Sequence, residues 1–231
     1  MAVGKRYKLL ATKVNNDNLL ALKAACDSVC ATKSAKFDET VEIALKLGID
    51  AKKSDQNVRG SAALPHGSGK TVRVAVFAKG EKAQEALDAG ADIVGADDLA
   101  EKIKGGFFDF DTLVATPDMM IQVGKVGKLL GPKGLMPSPK SGTVTVDVKG
   151  IVKSIKAGRT EFRNDKAGII HAPVGKVSFG SQKIYDNAVA VLSNINRLKP
   201  QNSKGFFIKG LAMSLTMGPS VRVDPTDIRS L

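Results

Sequence analysis

The hydrophobic pattern of residues 67–159 alternates between short apolar runs and amphipathic segments. The runs predict strands at 71–78, 93–94 and 112–116, and the segments between them predict helices at 81–89 and from 97 to 103. Asp97 is placed as an N-cap, with Leu99 and Ile103 facing inward. This order favours a small parallel sheet covered by helices, which is an inserted α/β domain of the Rossmann-like kind.

The two flanks show a different pattern. Residues 1–66 predict an amphipathic helix over 17–35 and an alternating strand over 41–47, while residues 160–231 predict strands around 169–170, 176–179 and 206–216 and a helix with apolar positions from Ile184 to Leu198. Neither flank has enough elements to enclose a core alone. Together they predict a two-layer α+β domain, split by the insertion of residues 67–159, with Gly67, Gly69 and Gly158 as hinges.

Composition and charge favour a soluble protein that binds polyanions. The 231 residues are 43% hydrophobic and 25% charged, with a net charge of +12 and a pI near 9.7. No segment approaches the roughly 20 apolar residues of a membrane span, and the basic N-terminus lacks the apolar run of a signal peptide. We therefore expect a cytoplasmic protein without a membrane partner, whose positive surface displaces counterions from a phosphate backbone.

The charge is unevenly distributed. Residues 1–66 and 160–231 together carry 21 Lys and Arg against 12 Asp and Glu, whereas residues 67–159 carry 14 against 11. Within the insert, residues 67–120 are acidic overall and residues 121–159 are basic. The principal polyanion surface is therefore expected on the split domain, with a second basic patch on the insert.

Enzymatic sites are disfavoured. The segment 67–71 resembles a phosphate-binding loop, but Leu64 stands where that motif needs glycine, and the glycines precede a strand instead of opening a helix. The predicted strand 71–78 is followed by Gly80 alone, too few glycines for a dinucleotide fingerprint. A nucleotide-dependent enzyme built on the inserted domain therefore remains only the runner-up hypothesis. A third hypothesis, a regulator that binds duplex DNA, would need a helix-turn-helix pattern that the sequence lacks.

No metal or cofactor is expected. Cys26 and Cys30 lie four residues apart in a helical pattern, on the predicted face of Leu19, and read as buried thiols. His66 and His171 are not spaced to complete a zinc site with them.

Several polar segments of the split domain are candidates for RNA contact. In the segment 36–40, Phe37 either packs onto the core, which composition favours, or stacks on a base beside Lys36. The segment 161–168 is either a solvated hairpin or a site where Asp165 orients Arg163 and Lys166 toward phosphates. His171 suits a phosphate or ribose contact as well as a structural hydrogen bond.

Two further candidate segments for RNA contact lie at the ends of predicted strands. Lys176 and Ser178 are predicted on one face of a strand. At the other, alternation turns Leu215 inward and leaves Ser214 and Thr216 outward, and a glycine at 218 permits close backbone approach or a positive φ angle. Small hydroxyls, the thioether of Met217 and a glycine suit contact with ribose.

The stretch 124–140 is predicted to lack regular structure because it is rich in glycine and proline. Its lysines are equally well interpreted as secondary RNA contacts or as solvated charges. They are Lys125, Lys128, Lys133 and Lys140.

Several blocks in order resemble the L-one family of bacterial ribosomal proteins, which form the mobile stalk of the large subunit. The blocks are Lys36 to Glu42, Lys53 to Gly60, Leu64 to Gly67, Gly131 to Pro137, Gly142 to Thr145, Glu161 to Arg163, Asp165-Lys166 and Thr216-Met217-Gly218. Leu215 departs from the threonine that is common there, and Pro219-Ser220 from Pro-Gly or Ala-Gly.

The resemblance implies a non-enzymatic protein that binds large-subunit ribosomal RNA, contacts deacylated transfer RNA leaving the exit site, and represses its own operon by binding its messenger RNA. It implies a split RNA-binding domain with an inserted second domain, and we expect a monomer off the ribosome. The family's main RNA contacts correspond to Lys36, Phe37, Thr40, Arg163, Asp165, Lys166, His171, Ser178, Thr216, Met217 and Gly218.

Overall fold

The structure, a computed structural model, describes residues 4–14, 18–200, 203 and 205–229. Its helices are α1 (Lys5–Ala11), α2 (Leu22–Ala31), α3 (Glu81–Asp88), α4 (Asp97–Lys104), α5 (Met120–Leu130), α6 (Val148–Gly158), α7 (Ser181–Arg197) and α8 (Pro225–Arg229). Its strands are β1 (Thr40–Leu47), β2 (Arg59–Ala63), β3 (Val74–Phe77), β4 (Ile93–Gly95), β5 (Thr112–Ala115), β6 (Arg159–Arg163), β7 (Ile169–Lys176), β8 (Ile208–Leu215) and β9 (Ser220–Val223).

The chain forms two compact units, one of residues 1–69 with 160–231 and the other of residues 70–159. The first contains a four-stranded sheet in the order β7-β1-β8-β9, whose three pairings are all antiparallel, and a two-stranded sheet of β2 and β6. The second contains a three-stranded parallel sheet in the order β4-β3-β5. The chain is therefore a mixed helix and strand protein, with a parallel and an antiparallel sheet in separate units.

Alternation of side chains gives the four-stranded sheet one core face and one outer face. On β1, Val41, Ile43, Leu45 and Leu47 are buried, while the residues between them are partly or fully exposed. Helices α2 and α7 pack on the core face, where Cys26 Sγ lies 4.0 Å from Met213 Sδ. Since the described helices of this layer cover one face, the other is open to form a binding surface.

The parallel sheet of the second unit is covered on both faces. Leu99, Ile103 and Val126 pack on one side from α4 and α5, and Val152 and Ile155 of α6 lie on the other. All four residues of β3 are buried, which matches the continuous apolar run of a strand covered on both faces. Asp97 is the first residue of α4 and not its N-cap, since Ala96 holds that position and its backbone N–H donates to the Asp98 carboxylate at 2.8 Å.

The prediction that residues 124–140 lack regular structure is wrong for the first seven of them. Helix α5 continues to Leu130 because Val123, Val126 and Leu130 are fully buried at helical spacing. Each such burial contributes about 1.5–3 kcal/mol, which outweighs the cost of about 1 kcal/mol for each glycine in the helix.

The first long helix is shorter than predicted. It begins at Leu22 because Leu20 instead bonds along β9, its N–H donating to the Arg222 carbonyl at 3.1 Å. Leu19 therefore lies outside the helix and is exposed, and of the two thiols Cys26 is buried while Cys30 is half-buried. Burial raises the pKa of the Cys26 thiol to about 12, so it behaves as a small apolar group. Asp17, at the predicted start, lies outside the described residues.

Candidate nucleic-acid interface

Three polar segments meet at one end of the four-stranded sheet. Because β1 is antiparallel to β7 and β8, its first residue, Thr40, lies opposite Lys176, the last residue of β7, and Val41 lies opposite Leu215, the last of β8. The loop before β1 and the chain after β7 and β8 therefore converge. We call this group the sheet-end cluster, comprising Lys36, Phe37, Thr40, Lys176, Ser178, Ser214, Thr216, Met217 and Gly218.

Thr40 is the centre of the hydrogen bonds in this cluster. Its backbone N–H donates to Thr216 Oγ1 at 3.0 Å, and its own Oγ1 accepts from Lys176 Nζ at 2.8 Å. The Thr216 backbone N–H donates to the Thr40 carbonyl at 3.0 Å, extending the pairing one residue past β8. The cluster is thus held by its own polar groups before any ligand binds.

Asp38 fixes the adjoining turn. Its carboxylate accepts the Ser178 backbone N–H at 3.1 Å and the Ser178 hydroxyl at 2.7 Å. The hydrogen bond from that hydroxyl, with the backbone bond and the nearby Lys176 and Lys33 charges, lowers the pKa of Asp38. Ser178 lies in a short 3-10 turn, Val177–Phe179, and not in a strand as predicted, because the chain turns ahead of Gly180, which has φ 82°.

The loop that carries Lys36 and Phe37 is anchored from beneath by Glu39. This side chain is completely buried, and its Oε1 accepts the Ala35 backbone N–H at 2.8 Å. Phe37 is 52% exposed, so the interpretation that it packs onto the core is wrong, and its ring is presented to solvent beside Lys36. Sequence reasoning missed Glu39, because nothing in the local sequence indicates that a glutamate in this polar loop is buried.

The segment after β8 has the predicted orientation. Leu215 is 2% exposed and faces the core, whereas Thr216 and Met217 are exposed. Gly218 does not have a positive φ angle. Its role is close approach, because a Cβ there would lie 3.1 Å from Leu215 Cβ.

Arg6 is a second residue that sequence reasoning missed. From α1 its guanidinium donates to Ser34 Oγ at 3.2 Å and to the Met217 carbonyl at 3.2 Å. It thereby connects the loop before β1 to the chain after β8. The basic N-terminus was noted for its charge, but no local pattern indicated a partner more than 200 residues away.

Arg163, Asp165 and Lys166 lie at the opposite end of the same sheet. Their hairpin joins β6 to β7, and Leu47, the last residue of β1, donates its N–H to the Gly168 carbonyl at 2.9 Å. At about 3.3 Å per residue, the length of β1 separates the two ends by about 23 Å. Thr216 and Arg163 therefore belong to two separate groups.

This second group lines a depression of about 430 Å³ with Ala51, Asn57 and Asn164. Asp165 does not orient the two cations, as its Oδ1 accepts the backbone N–H groups of Ala167 and Ile169, each at 2.8 Å. The bond from Ile169 is the leading cause of the lowered pKa of Asp165. His171 lies between the two groups, exposed on β7 opposite Ala44.

The four lysines predicted as secondary RNA contacts occupy three settings in the second unit. Lys125 and Lys128 are exposed on α5, and Lys140 is exposed in the short turn Pro139–Ser141. Lys133 Nζ lies 3.5 Å from the centre of the Phe108 ring, a cation–π contact.

The three glycines predicted as hinges all have positive φ: 73° at Gly67, 69° at Gly69 and 107° at Gly158. The Gly67 carbonyl accepts from Asn187 Nδ2 at 3.1 Å. Residues 67–71 lead into β3 and not into a helix, so they lack the helix N-terminus on which a phosphate-binding loop depends.

Within the described residues, no three His, Cys, Asp or Glu side chains gather as a metal site. None of the helices in that part of the chain combines the length and apolar character needed to cross a bilayer.

A comparison with protein families gives one match across most of the chain. The model of the ribosomal protein L1p/L10e family matches residues 29–219. The matched range includes all of the second unit, most of the first, and both groups of polar residues on the four-stranded sheet. Arg6 lies outside it.

Proposed function

The chain belongs to the ribosomal protein L1p/L10e family, and from this premise we propose that it binds large-subunit ribosomal RNA through the sheet-end cluster and forms the mobile stalk of that subunit. Membership makes it a structural ribosomal protein that binds ribosomal RNA, in a family that is not enzymatic.

The convergence of three polar segments at one end of the sheet carries the proposal. An exposed aromatic ring, lysines, hydroxyls and a closely packed glycine lie together there, although they come from residues 36–40, 176–178 and 214–218. This combination suits folded RNA, because bases stack on aromatic rings, phosphates pair with lysines and ribose 2′-hydroxyls bond to small polar groups. Arg163, Lys166 and His171 supply further contacts along the same sheet.

We propose two finer roles, which the resemblance to this family suggests. One is assistance in releasing deacylated transfer RNA from the exit site, and the other is repression of the chain's own operon through a messenger RNA site that mimics the ribosomal one. A cluster that is already ordered by internal hydrogen bonds supports the second role, since two RNAs with the same local fold satisfy the same fixed groups.

We further propose that residues 1–66 with 160–231 act as the RNA-binding domain and residues 67–159 as an inserted domain, hinged at Gly67, Gly69 and Gly158. The charge distribution supports this division, because the first part carries a net +9 and the second +3. Lys125, Lys128, Lys133 and Lys140 then provide a secondary RNA contact. We expect the protein to act in the cytoplasm as a monomer when off the ribosome.

The test is a gel shift of the full chain with the stalk fragment of large-subunit ribosomal RNA. We expect a complex that unlabelled leader messenger RNA of the chain's own operon displaces, and that an unrelated RNA of equal length does not. If both competitors displace the fragment equally, binding is non-specific and the proposal fails. If neither does, the ribosomal role stands and the repressor role is wrong.

A further inference from the structure

The outer face of the four-stranded sheet continues beyond the sheet-end cluster into a second, cation-lined surface. On β8, Ser214, Ala212 and Gly210 share that face. Ser214 and Gly210 are about 13 Å apart, at about 3.3 Å per residue. Ala44 and Ile169 from the neighbouring strands complete a floor of mainly small residues. A depression of about 370 Å³ lies over this floor, and its lining also includes the apolar residues Leu19, Leu211, Val223 and Pro225.

Three exposed cations line the depression: Lys46, Lys209 and Arg222. Lys46 lies opposite both Ile169 and Gly210, and Arg222 lies opposite Ala212. Among the described residues, none of the three has an ion-pair partner within 4.0 Å. Their charges are therefore available to an anionic ligand.

A β-bulge adds the third cation to this face. Lys46 pairs with Gly210 but Leu47 pairs with Ile208, so Lys209 is the extra residue of β8. Bulges redirect a side chain that regular alternation would place on the other face. Without the bulge, Lys209 would point toward the apolar core, where an unpaired ammonium is strongly unfavourable.

Gly210 lines the depression without adding a side chain to it. Its φ angle is not positive, so the backbone does not require glycine there, and a Cβ built on it would have no atom within 4 Å. Glycine in the interior of a strand weakens pairing, and it often marks a position where a ligand approaches closely. Gly210 directly follows the bulge at Lys209, which suits a glycine, and its lack of a side chain also leaves room over the floor for a ligand.

We propose that a single-stranded segment of the bound RNA runs from the sheet-end cluster across this outer face, with its phosphates on Lys46, Lys209 and Arg222 and its bases or riboses over Gly210 and Ala212. The inference deepens the proposed RNA-binding function and rests on it. An extended strand fits a flat, small-residue floor better than a duplex does, because its unstacked bases can lie against the sheet.

The charge pattern along the face indicates which part of each RNA nucleotide faces the sheet. Glu42 is exposed opposite Ser214, between the cluster and the cations. A carboxylate repels phosphate but accepts a hydrogen bond from a ribose hydroxyl. A nucleotide beside Glu42 is thus expected to present its ribose to the sheet, whereas nucleotides beside Lys46, Lys209 and Arg222 present their phosphates.

The matched comparison uses two triple variants of the full chain. One carries Lys46→Ala, Lys209→Ala and Arg222→Ala. The other carries Lys183→Ala, Lys199→Ala and Arg197→Ala, which removes the same charges from exposed positions on the helical layer of the same unit. Binding of the stalk RNA fragment is measured against salt concentration. We expect the slope of log K against log[salt] to fall by about two to three for the face variant and by less than one for the control.

A second pair of variants tests the floor independently of the cations. Gly210→Glu introduces a carboxylate into the depression and should weaken RNA binding about tenfold or more. Gly210→Ala adds only an uncharged methyl group that meets no protein atom, so it should fold normally and bind RNA much more tightly than Gly210→Glu. Circular dichroism and thermal unfolding establish that both variants fold.

The possible outcomes distinguish failure of the proposed RNA-binding function from failure of the outer-face inference. If wild type does not bind the stalk fragment, the proposed function fails. If wild type binds but both triple variants change the slope equally, or Gly210→Glu binds like Gly210→Ala, the outer face does not contact RNA and this inference is overturned. A smaller salt slope in the face variant than in its control, together with a larger loss of binding in Gly210→Glu than in Gly210→Ala, supports it.

Discussion

The Thr216 hydroxyl bonds both polar groups of the Thr40 backbone, accepting its N–H at 3.0 Å and donating to its carbonyl at 3.3 Å. This single side chain therefore fixes the start of β1 against the chain that follows β8. Since the hydroxyl proton is used internally, Thr216 retains one lone pair for a donor such as a ribose 2′-hydroxyl. It is both a part of the cluster's framework and a candidate contact.

Replacing Thr216 by valine should weaken specific RNA binding about tenfold. The isosteric side chain leaves the Thr40 N–H without its acceptor and removes the free lone pair, which together should cost about 1–1.5 kcal/mol of binding free energy. Thr216→Ser keeps the hydroxyl and should bind nearly as well as wild type. Filter binding of the stalk RNA fragment measures both. Lys125→Ala is the charge control, and equal losses for Thr216→Val and Lys125→Ala would show that charge and not geometry determines recognition.

Phe37 should contribute to binding but not to stability. Its ring is 52% exposed, so Phe37→Ala is expected to leave the free energy of unfolding within about 0.5 kcal/mol of wild type while it weakens RNA binding by about 1–3 kcal/mol through lost stacking. Phe206 is 66% exposed and precedes β8 at the opposite end of the sheet, so Phe206→Ala is the matched control. A loss of stability in Phe37→Ala that matches its loss of binding would contradict a stacking role.

Arg6 should act by positioning Met217. Arg6→Ala removes the donors to Ser34 Oγ and the Met217 carbonyl and is expected to weaken RNA binding by about 1 kcal/mol. Lys8→Ala removes one charge from the same helix without those bonds. The amide exchange rates of Met217 and Gly218 in the free protein distinguish a positioning role of Arg6 from a simple charge effect. Faster exchange in Arg6→Ala and unchanged exchange in Lys8→Ala are expected, and unchanged exchange in both would restrict Arg6 to a charge effect.

The hydrogen bonds to Asp38 should make stability depend on pH in the acidic range. Since the folded-state pKa of Asp38 lies below its ordinary value of 3.8, the carboxylate stabilises the fold above that value, and the contribution is lost as the pH falls through the folded pKa. The stability difference between wild type and Asp38→Asn should accordingly shrink as urea unfolding is repeated at lower pH values. Ser178→Ala removes the leading hydrogen-bond donor and should raise the Asp38 pKa, as followed by NMR. A difference that is independent of pH would contradict the assignment.

Local periodicity predicted the elements whose burial is regular. The strand over 41–47 and the inward position of Leu215 both follow from alternation, and both agree with the structure. The helix over 124–130 was missed because a count of glycines ignores the burial of Val123, Val126 and Leu130, which depends on the strands beneath them. Tertiary burial outweighed local propensity at that position.

The candidate site was predictable as a set of residues but not as an arrangement. The chain around Phe37, Arg163 and Thr216 is polar and carries family motifs, so each segment was recognisable. Their separation into two groups depends on strand register, because the start of β1 meets Lys176 while its end meets Gly168. Arg6 could not be predicted because its partner Met217 is brought close only by the fold, and Glu39 because its burial depends on the packing beneath the loop.

The most direct test of the account is a competition between the stalk fragment of large-subunit ribosomal RNA and duplex DNA of equal length for the wild-type chain at moderate salt. A site that reads riboses, unstacked bases and a folded backbone should hold the RNA at least about a hundredfold more tightly than the DNA. Equal affinity for the two would mean that the positive surface binds any phosphate backbone, and would contradict specific RNA recognition by the sheet-end cluster.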